Sequence, residues 1–209
     1  ARDPAMLFFL DNRVNARQQP NENYARELLE LHTFGEGNGY TEKDIHEAAR
    51  ALTGWRIDED GNAVFRAREH DTGNKTILGK SQNFDEATLV DLLAGRIETA
   101  SYIADKLVRY FVVPDGDEGL RARVRDTYMA TNGSIREMMR LILLSPEMYS
   151  DAAYRSVIKS PTDFMVGARR ALEAPLASRI ETDTGRRLGQ LIYEPPNPAG
   201  WTGGAEWVN

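Results

Sequence analysis

Hydrophobic residues recur with the spacing of an α-helix along most of the chain. Apolar residues stand at positions i, i+4 and i+7 between residues 24 and 31, and a second stripe of this kind lies between residues 45 and 52. Such spacing places the apolar side chains on one face of a helix. The glycine-rich segment 35–39 separates the two stripes and predicts an antiparallel helical hairpin. The same period predicts further helices near residues 4–16, 89–93, 103–111, 120–128 and 134–144, and one that starts at Pro161.

The helical period is interrupted between residues 55 and 79. Apolar and polar residues alternate there on both sides of Asp60 and Gly61, a pair typical of tight turns, which predicts a small β-hairpin near residues 55–68. A polar loop and a short apolar piece complete this insertion. The last residues, 194–209, are rich in proline and glycine and predict an irregular tail. The whole pattern predicts an all-α fold, organised as a single multi-helix domain over residues 1–209.

Composition narrows the class of protein. Of the 209 residues, 41% are hydrophobic and 28% are charged, which suits a soluble chain with a buried core. The 26 Lys and Arg residues against 32 Asp and Glu, a net charge of -6, give no reason to expect a nucleic-acid partner. The apolar runs are too short to span a membrane. The absence of cysteine excludes disulfides, thiolate metal sites and cysteine nucleophiles.

Charged residues on the predicted helical hairpin suggest a polar pocket. Arg26 and Glu27 lie on its first helix and Arg50 lies on its second. We therefore predict an ion pair between Glu27 and Arg50 that orients the two helices. The neighbouring residues His70 and Asp71, which stand in a glycine-containing loop, would join this pocket. These five residues are the candidate catalytic residues.

Two interpretations of His70 and Asp71 stay open. The two side chains could form an acid–base pair, or they could contribute to a metal site in which His32 is a further ligand. Alternatively, Asp71 caps the backbone of its loop and His70 covers the core. The sequence contains no phosphate-binding or dinucleotide-binding glycine motif, so no cofactor is expected.

Three tryptophans flank glycine-rich bends and suggest a different kind of site. Trp55, Trp201 and Trp207 could stack on the apolar faces of sugar rings if their indole rings are exposed. As buried residues they would instead anchor the tail across the helices.

Several motifs together resemble one bacterial family. They are PNENYARELLEL from Pro20, GYTEKD from Gly39, AARALTGW from Ala48, HDTG from His70 with Lys75 and Leu78-Gly79, and PPN from Pro195 with Gly200-Trp201 and Gly203-Gly204. This set resembles the family catalogued as domain of unknown function eighteen hundred. The resemblance implies that the chain is a middle-to-C-terminal part of a longer, extracytoplasmic bacterial protein. It implies no catalytic role, and His32 stands where the motif favours an apolar or aromatic residue.

These observations lead to one expectation and two alternatives. We expect a non-catalytic binding or assembly domain of an exported bacterial protein, whose partner is another protein or the missing part of its own chain. The first alternative is a hydrolase-like or metal-dependent enzyme that uses His70 and Asp71 near Glu27 and Arg50. The second is a carbohydrate-binding module that uses the three tryptophans.

Overall fold

The structure is a computed structural model, and it describes residues 2–175 and 178–208. In chain order its elements are α1 (Pro4–Phe9), a 3-10 turn (Asn12–Val14), α2 (Asn23–Glu27), a π-helical segment (Leu28–Thr33), α3 (Glu42–Ala51), β1 (Trp55–Ile57), β2 (Ala63–Phe65), a 3-10 turn (Ala67–Glu69), β3 (Lys75–Ile77), β4 (Lys80–Gln82), α4 (Glu86–Ala94), α5 (Ile97–Phe111), α6 (Glu118–Ala130), α7 (Ile135–Leu144), a 3-10 turn (Pro146–Tyr149), α8 (Pro161–Ala171), α9 (Ser178–Arg187) and a 3-10 turn (Gly204–Val208). The prediction of a mostly helical fold with a small β insertion is confirmed.

The chain forms two compact units. The first unit comprises Ala1–Lys106 and Arg121–Met139, and the second comprises Leu107–Leu120 and Arg140–Asn209. The single-domain organisation of the chain stays a prediction. None of the described helices has both the length and the apolar character that crossing a membrane requires.

The first unit is built around the predicted helical hairpin. Helix α3 begins at a capping box, in which the Thr41 hydroxyl accepts a hydrogen bond from the Asp44 backbone and the Asp44 carboxylate accepts one from the Thr41 backbone. The apolar stripe of α3 is completely buried. It packs with residues from the other elements of the unit, among them Leu7, Leu29, Phe34, Ile77, Phe84 and Leu89.

The first helix of the hairpin changes its winding, which the apolar period did not predict. Between Leu28 and Thr33 it becomes a π-helix. The backbone N–H groups of Phe34 and Gly35 both donate to the Leu29 carbonyl, and the Thr33 hydroxyl donates to the Leu28 carbonyl at 2.8 Å. Since a π-turn adds one residue to each turn, it shifts the face on which the following side chains lie.

The predicted first helix over residues 4–16 is shorter than expected. Helix α1 ends at Phe9, and a separate 3-10 turn follows from Asn12 to Val14. Asp11, between the two, has a positive φ of 58°, which an α-helix does not allow. The predicted irregular tail also contains a short 3-10 turn over Gly204–Val208.

Two antiparallel ribbons occupy the insertion. The first pairs β1 with β2 and places Trp55 opposite Phe65, as the alternation of apolar residues indicated. The second pairs β3 with β4 and was not predicted. Every residue of β4 is exposed, so this strand lacks the alternation that marks a half-buried strand.

Gly54 allows the first ribbon to approach the end of α3. Its φ is +94°, and a Cβ atom added there would lie 3.1 Å from the Arg66 carbonyl oxygen, the His70 Cβ and the Phe65 ring. Gly61 in the turn of the same ribbon also has a positive φ, +83°, but a Cβ there would meet nothing within 4 Å. A side chain at Gly54 would therefore meet both backbone strain and steric crowding, whereas a side chain at Gly61 would meet backbone strain alone.

We expect Gly54→Ala to lower the free energy of unfolding by about 3 kcal/mol, because strain and crowding add. Gly61→Ala, which adds strain alone, should cost about 1 kcal/mol. Urea unfolding followed by circular dichroism measures both values. Equal losses for the two variants would contradict the close approach at Gly54.

Candidate functional site

Arg50 is the centre of a charged cluster between α3 and the loop that carries His70 and Asp71. Its Nε donates to Asp71 Oδ2 at 2.8 Å, and its Nη2 donates to Asp71 Oδ1 at 3.3 Å. Its Nη1 donates to both oxygens of Glu47 at 2.9 Å. All three side chains are largely buried. We call Glu47, Arg50, Asp71 and Lys75 the polar latch.

Carboxylates of α3 also accept hydrogen bonds from the backbone of β3 and of the residue that follows it. The Thr76 N–H donates to Glu47 Oε2 at 2.9 Å, and the Leu78 N–H donates to Asp44 Oδ1 at 2.7 Å. Asp44 and Glu47 stand one turn apart on the helix, and alternate N–H groups of a strand point to the same side. The helix therefore provides side-chain acceptors along one edge of this ribbon.

Lys75 is the most deeply buried charge of the latch, with only 1% of its surface exposed. Its ammonium donates to the backbone carbonyl of Asp71, to the Asn83 side-chain oxygen at 3.0 Å and to the Phe84 carbonyl at 2.7 Å. Burial lowers the pKa of Lys75, although the Asp71 carboxylate opposes the effect. Lys75 thus holds together the loop after His70 and the segment before α4.

The carboxylates of the latch are kept ionised. Burial alone would raise the pKa of Asp71, but hydrogen bonds from Arg50 and from the Gly73 N–H outweigh it, and the pKa lies below its ordinary value. The pKa of Glu47 is also lowered, because the hydrogen bonds from Thr76 and Arg50 outweigh its burial. Both groups are therefore hydrogen-bond acceptors at neutral pH.

His70 is buried beside Asp71 but bonds to a different residue. Its Nδ1 lies 3.0 Å from the Thr53 carbonyl oxygen, and its ring lies 5.4 Å from that of Phe65, centroid to centroid. Since a carbonyl can only accept, Nδ1 donates a proton to it. The enzyme alternative that uses His70 stays a hypothesis.

The predicted ion pair between Glu27 and Arg50 is wrong. Among the ion pairs of residues 2–175 and 178–208, Arg50 binds Glu47 and Asp71, whose oxygens occupy all three of its nitrogens. Burial, together with the nearby Glu30, raises the pKa of Glu27. Burial is the larger cause, and it outweighs the opposing effect of Arg26, whereas a close ion pair with Arg50 would lower the pKa.

A different arginine joins the two helices of the hairpin. Arg26 donates through both terminal nitrogens to Glu42, at 3.0 and 2.6 Å. A second contact between the helices is that of His46 Nδ1 with Glu22 Oε1, at 2.9 Å. A charge contact between the two helices therefore exists, as predicted, but it joins Arg26 to Glu42 and not Glu27 to Arg50.

His32 lies in the π-helical segment and does not belong to the latch. It lines a cavity of about 230 Å³ whose other walls include Leu93, Ile103 and Tyr128. Burial and the nearby Lys106 lower the pKa of His32. In the part of the chain that the structure describes, no three His, Asp or Glu side chains are grouped so that they could hold a metal ion.

The three tryptophans are divided between the two units. Trp55 belongs to the first unit, where it packs against Phe65 with ring centroids 5.3 Å apart and against the guanidinium of Arg2. Trp201 and Trp207 belong to the second unit, and both are partly buried. The carbohydrate alternative, which uses residues of both units, stays a hypothesis.

Comparison with known families adds one finding. A family model described as "Protein of unknown function (DUF1800)" matches residues 1–209. The chain belongs to the DUF1800 family. This confirms the resemblance shown by its sequence motifs. No curated protein and no solved structure matches the chain, so membership of DUF1800 assigns no activity to the polar latch.

Three residues of the site are absent from the candidate residues that the sequence suggested. They are Glu47 and Lys75 of the polar latch, and Asp44, which accepts from the Leu78 backbone. Lys75 offered one signal, because it directly precedes the alternating Thr76 and Ile77 and is one of only five lysines in the chain. The alternation indicates that position 75 faces the same way as the buried Ile77.

Proposed function

We propose that this DUF1800 chain is a non-catalytic binding or assembly domain of an exported bacterial protein. The observation that carries the proposal is the saturation of the polar latch by contacts inside the protein. A general acid or base must present a proton or a lone pair to a substrate. The charged groups of Arg50, Asp71 and Lys75 are instead engaged by neighbouring residues.

The electrostatics of the latch support the same proposal. A carboxyl group that acts as a general acid near neutral pH needs a raised pKa. The pKa values of Asp71 and Glu47 are both lowered, which suits groups that hold a loop in place. The latch therefore stabilises the segment from His70 to Phe84 on helix α3.

The second unit offers a surface on which a protein could bind. Leu144, Tyr149 and Tyr154 are highly exposed, and we call them the tyrosine face. The Tyr149 hydroxyl donates to the Leu143 carbonyl at 2.9 Å, which restrains its ring. An exposed tyrosine with a restrained ring, such as Tyr149, is a favourable contact in a protein interface, because little side-chain entropy is lost on binding.

A cavity of the second unit is lined by residues that are close to the tyrosine face in the sequence. Its volume is about 730 Å³, and its walls include Val112, Pro114, Glu147 and Ile158. Anchoring side chains of a partner commonly fill well-packed pockets in the centre of an interface, and this cavity has room for one. We infer that a protein partner contacts the tyrosine face and inserts an apolar side chain here.

Site-specific photocrosslinking tests the proposal. A photoreactive phenylalanine at Tyr149 is expected to crosslink to one defined protein in cells of the source bacterium, and Tyr154→Ser in the same chain should reduce the yield. The same photoreactive residue at Lys43, an exposed position of α3 in the first unit, is the control. Equal crosslinking from both positions, or none from Tyr149, would contradict the proposal.

A further inference from the structure

A pocket of the first unit contains the guanidinium group of the chain's own Arg2. The Arg2 Cζ lies 5.0 Å from the centre of the Trp55 ring, and its Nε donates to Glu86 Oε2 at 2.8 Å. A cavity of about 250 Å³ remains beside it, lined by Arg2, Trp55, Phe65, Asp85, Glu86 and Ala87. An aromatic face and a carboxylate are the two groups that recognise a guanidinium.

The aromatic wall of this pocket is held in place by contacts that do not involve Arg2. Trp55 and Phe65 are directly opposite each other in the first ribbon, and their ring centroids are 5.3 Å apart. Phe65 in turn packs against the buried His70 ring. The wall therefore keeps its shape when the cation leaves, which lowers the cost of binding another one.

Glu86 belongs to the pocket, whereas Arg2 reaches it from the surface. The Glu86 side chain is only 11% exposed, but the Arg2 side chain is 60% exposed. The neighbouring Asp85 carboxylate is engaged as the cap of α4, where it accepts the Thr88 N–H at 2.9 Å. Glu86 is therefore the carboxylate that pairs with a bound cation.

The surroundings of the pocket favour positive charge. Burial, with contributions from Glu86 and Asp3, raises the pKa of the nearby Tyr24 to about 12. Burial, the largest cause, disfavours a charge of either sign, but the contributions of Glu86 and Asp3 come from carboxylates, which attract a cation. A cation that leaves the pocket leaves Glu86 partly buried without the partner that the structure shows for it.

We propose that this pocket is a receptor for a guanidinium group, and that Arg2 is an exchangeable occupant which another arginine replaces. The ligand is an arginine side chain, either in a peptide segment of another protein or as the free amino acid. A planar guanidinium stacks on Trp55 while its N–H groups bind Glu86, and a lysine ammonium cannot match both contacts equally well. This site lies in the first unit and is independent of the tyrosine face.

Arg2 competes with any external ligand because it is tethered to the pocket. The Arg2 side chain is 60% exposed, so water screens its ion pair, and a cation–π contact of an exposed arginine is weak; Arg2 therefore exchanges readily. If Arg2 fills the pocket for about 90% of the time, the apparent affinity for an external arginine is roughly tenfold below its intrinsic value. Removal of the Arg2 side chain should therefore strengthen external binding.

The test uses the whole chain with 5-fluorotryptophan, and Trp55→Phe assigns the fluorine resonance of Trp55. N-acetyl-arginine methylamide, which has uncharged ends, should shift this resonance saturably in Arg2→Ala and roughly tenfold more weakly in the unmodified chain. The lysine analogue should bind less tightly. Adding Glu86→Gln to Arg2→Ala should weaken arginine binding by about 10- to 100-fold.

A separate control experiment checks that the variants fold. The circular dichroism of Arg2→Ala and of the double variant should match that of the unmodified chain. The midpoint of thermal unfolding should fall by no more than a few degrees, because the Arg2 side chain is exposed and Glu86→Gln keeps the shape of the side chain. A comparison of the methylamide with an arginine-containing peptide distinguishes the two sources. Tighter peptide binding indicates a protein segment, and equal affinity indicates the free amino acid. No saturable shift in a folded Arg2→Ala chain, or an unchanged affinity with Glu86→Gln, would overturn the proposal.

Discussion

Lys75→Ala is expected to lower the free energy of unfolding by about 3–5 kcal/mol, measured by urea unfolding. The substitution removes a stem that is almost completely buried, with 1% of the residue exposed. It also leaves three acceptors without their donor, on Asp71, Asn83 and Phe84. The free-energy penalty of a buried acceptor without a donor is larger than the net stabilisation that the original hydrogen bond provided.

Two further variants identify the cause of the Lys75 effect. Lys75→Met keeps most of the stem and removes the ammonium, so we expect an intermediate loss of about 2–3 kcal/mol. Lys80→Ala in the exposed strand β4 should change stability by no more than about 0.5 kcal/mol. If Lys75→Ala changed the free energy of unfolding as little as Lys80→Ala, the hydrogen bonds of Lys75 would not stabilise the fold.

The charge of Lys75 also predicts a pH dependence. Burial lowers its pKa in the folded chain, whereas the unfolded value is about 10.4. Between these two values the unfolded chain binds more protons, so stability rises with pH. The difference in unfolding free energy between the unmodified chain and Lys75→Met should therefore grow as pH rises toward about 10.4.

A double-mutant cycle between Arg50 and Asp71 is expected to give a coupling energy of about 1.5–3 kcal/mol. Arg50→Met and Asp71→Asn should each destabilise the chain strongly, because each leaves the other group largely buried without its partner. The double variant should lose less than the sum. The unfolding free energies of the four chains in urea provide the measurement.

An exposed ion pair of the same unit is the matched control. Arg26 and Glu42 also form a two-point contact, but the Glu42 side chain is 75% exposed, against 17% for Asp71. Water screens such a pair, so its coupling should stay below about 1 kcal/mol. Equal coupling energies for the two pairs would contradict the importance of burial in the latch.

Acid should remove the coupling between Arg50 and Asp71. The pKa of folded Asp71 lies below its ordinary value, because hydrogen bonds from Arg50 and Gly73 outweigh burial. The pair therefore contributes fully above the unfolded value of about 3.9, and its contribution is lost as pH falls through the lowered pKa.

The stability of Asp71→Asn also distinguishes the latch from the enzyme alternative. Replacing a catalytic residue of an enzyme often leaves the free energy of unfolding unchanged or raises it. A stable Asp71→Asn chain would therefore favour the enzyme alternative and contradict the proposed latch.

The helical hairpin shows how far the sequence predicts this fold. The apolar stripe from Ile45 to Leu52 and the cap at Thr41 are local patterns, and both are found in the structure. The Asp60-Gly61 turn likewise predicted the first ribbon. These features depend on residues a few positions apart, so the period of the sequence is sufficient to indicate them.

The second ribbon and the π-helical segment were missed for physical reasons. The all-polar strand β4 carries no apolar alternation, and it forms because β3 provides a neighbour for its backbone. The π-turn at Leu28–Thr33 differs from an α-helix in its backbone bonds. An apolar stripe of two turns is too short to distinguish the two kinds of helix.

The helical class, the hairpin, the first ribbon and the family can be predicted from the order of the amino acids, since all of these depend on local periods and contiguous motifs. Only the folded chain shows that Arg50 binds Asp71, 21 residues away along the chain, rather than Glu27. The same is true of the burial of Lys75 and of the contact between Arg2 and Trp55. Arginine and lysine side chains are long and can donate to any nearby carboxylate or carbonyl, so their partners depend on which segments the folded core brings together.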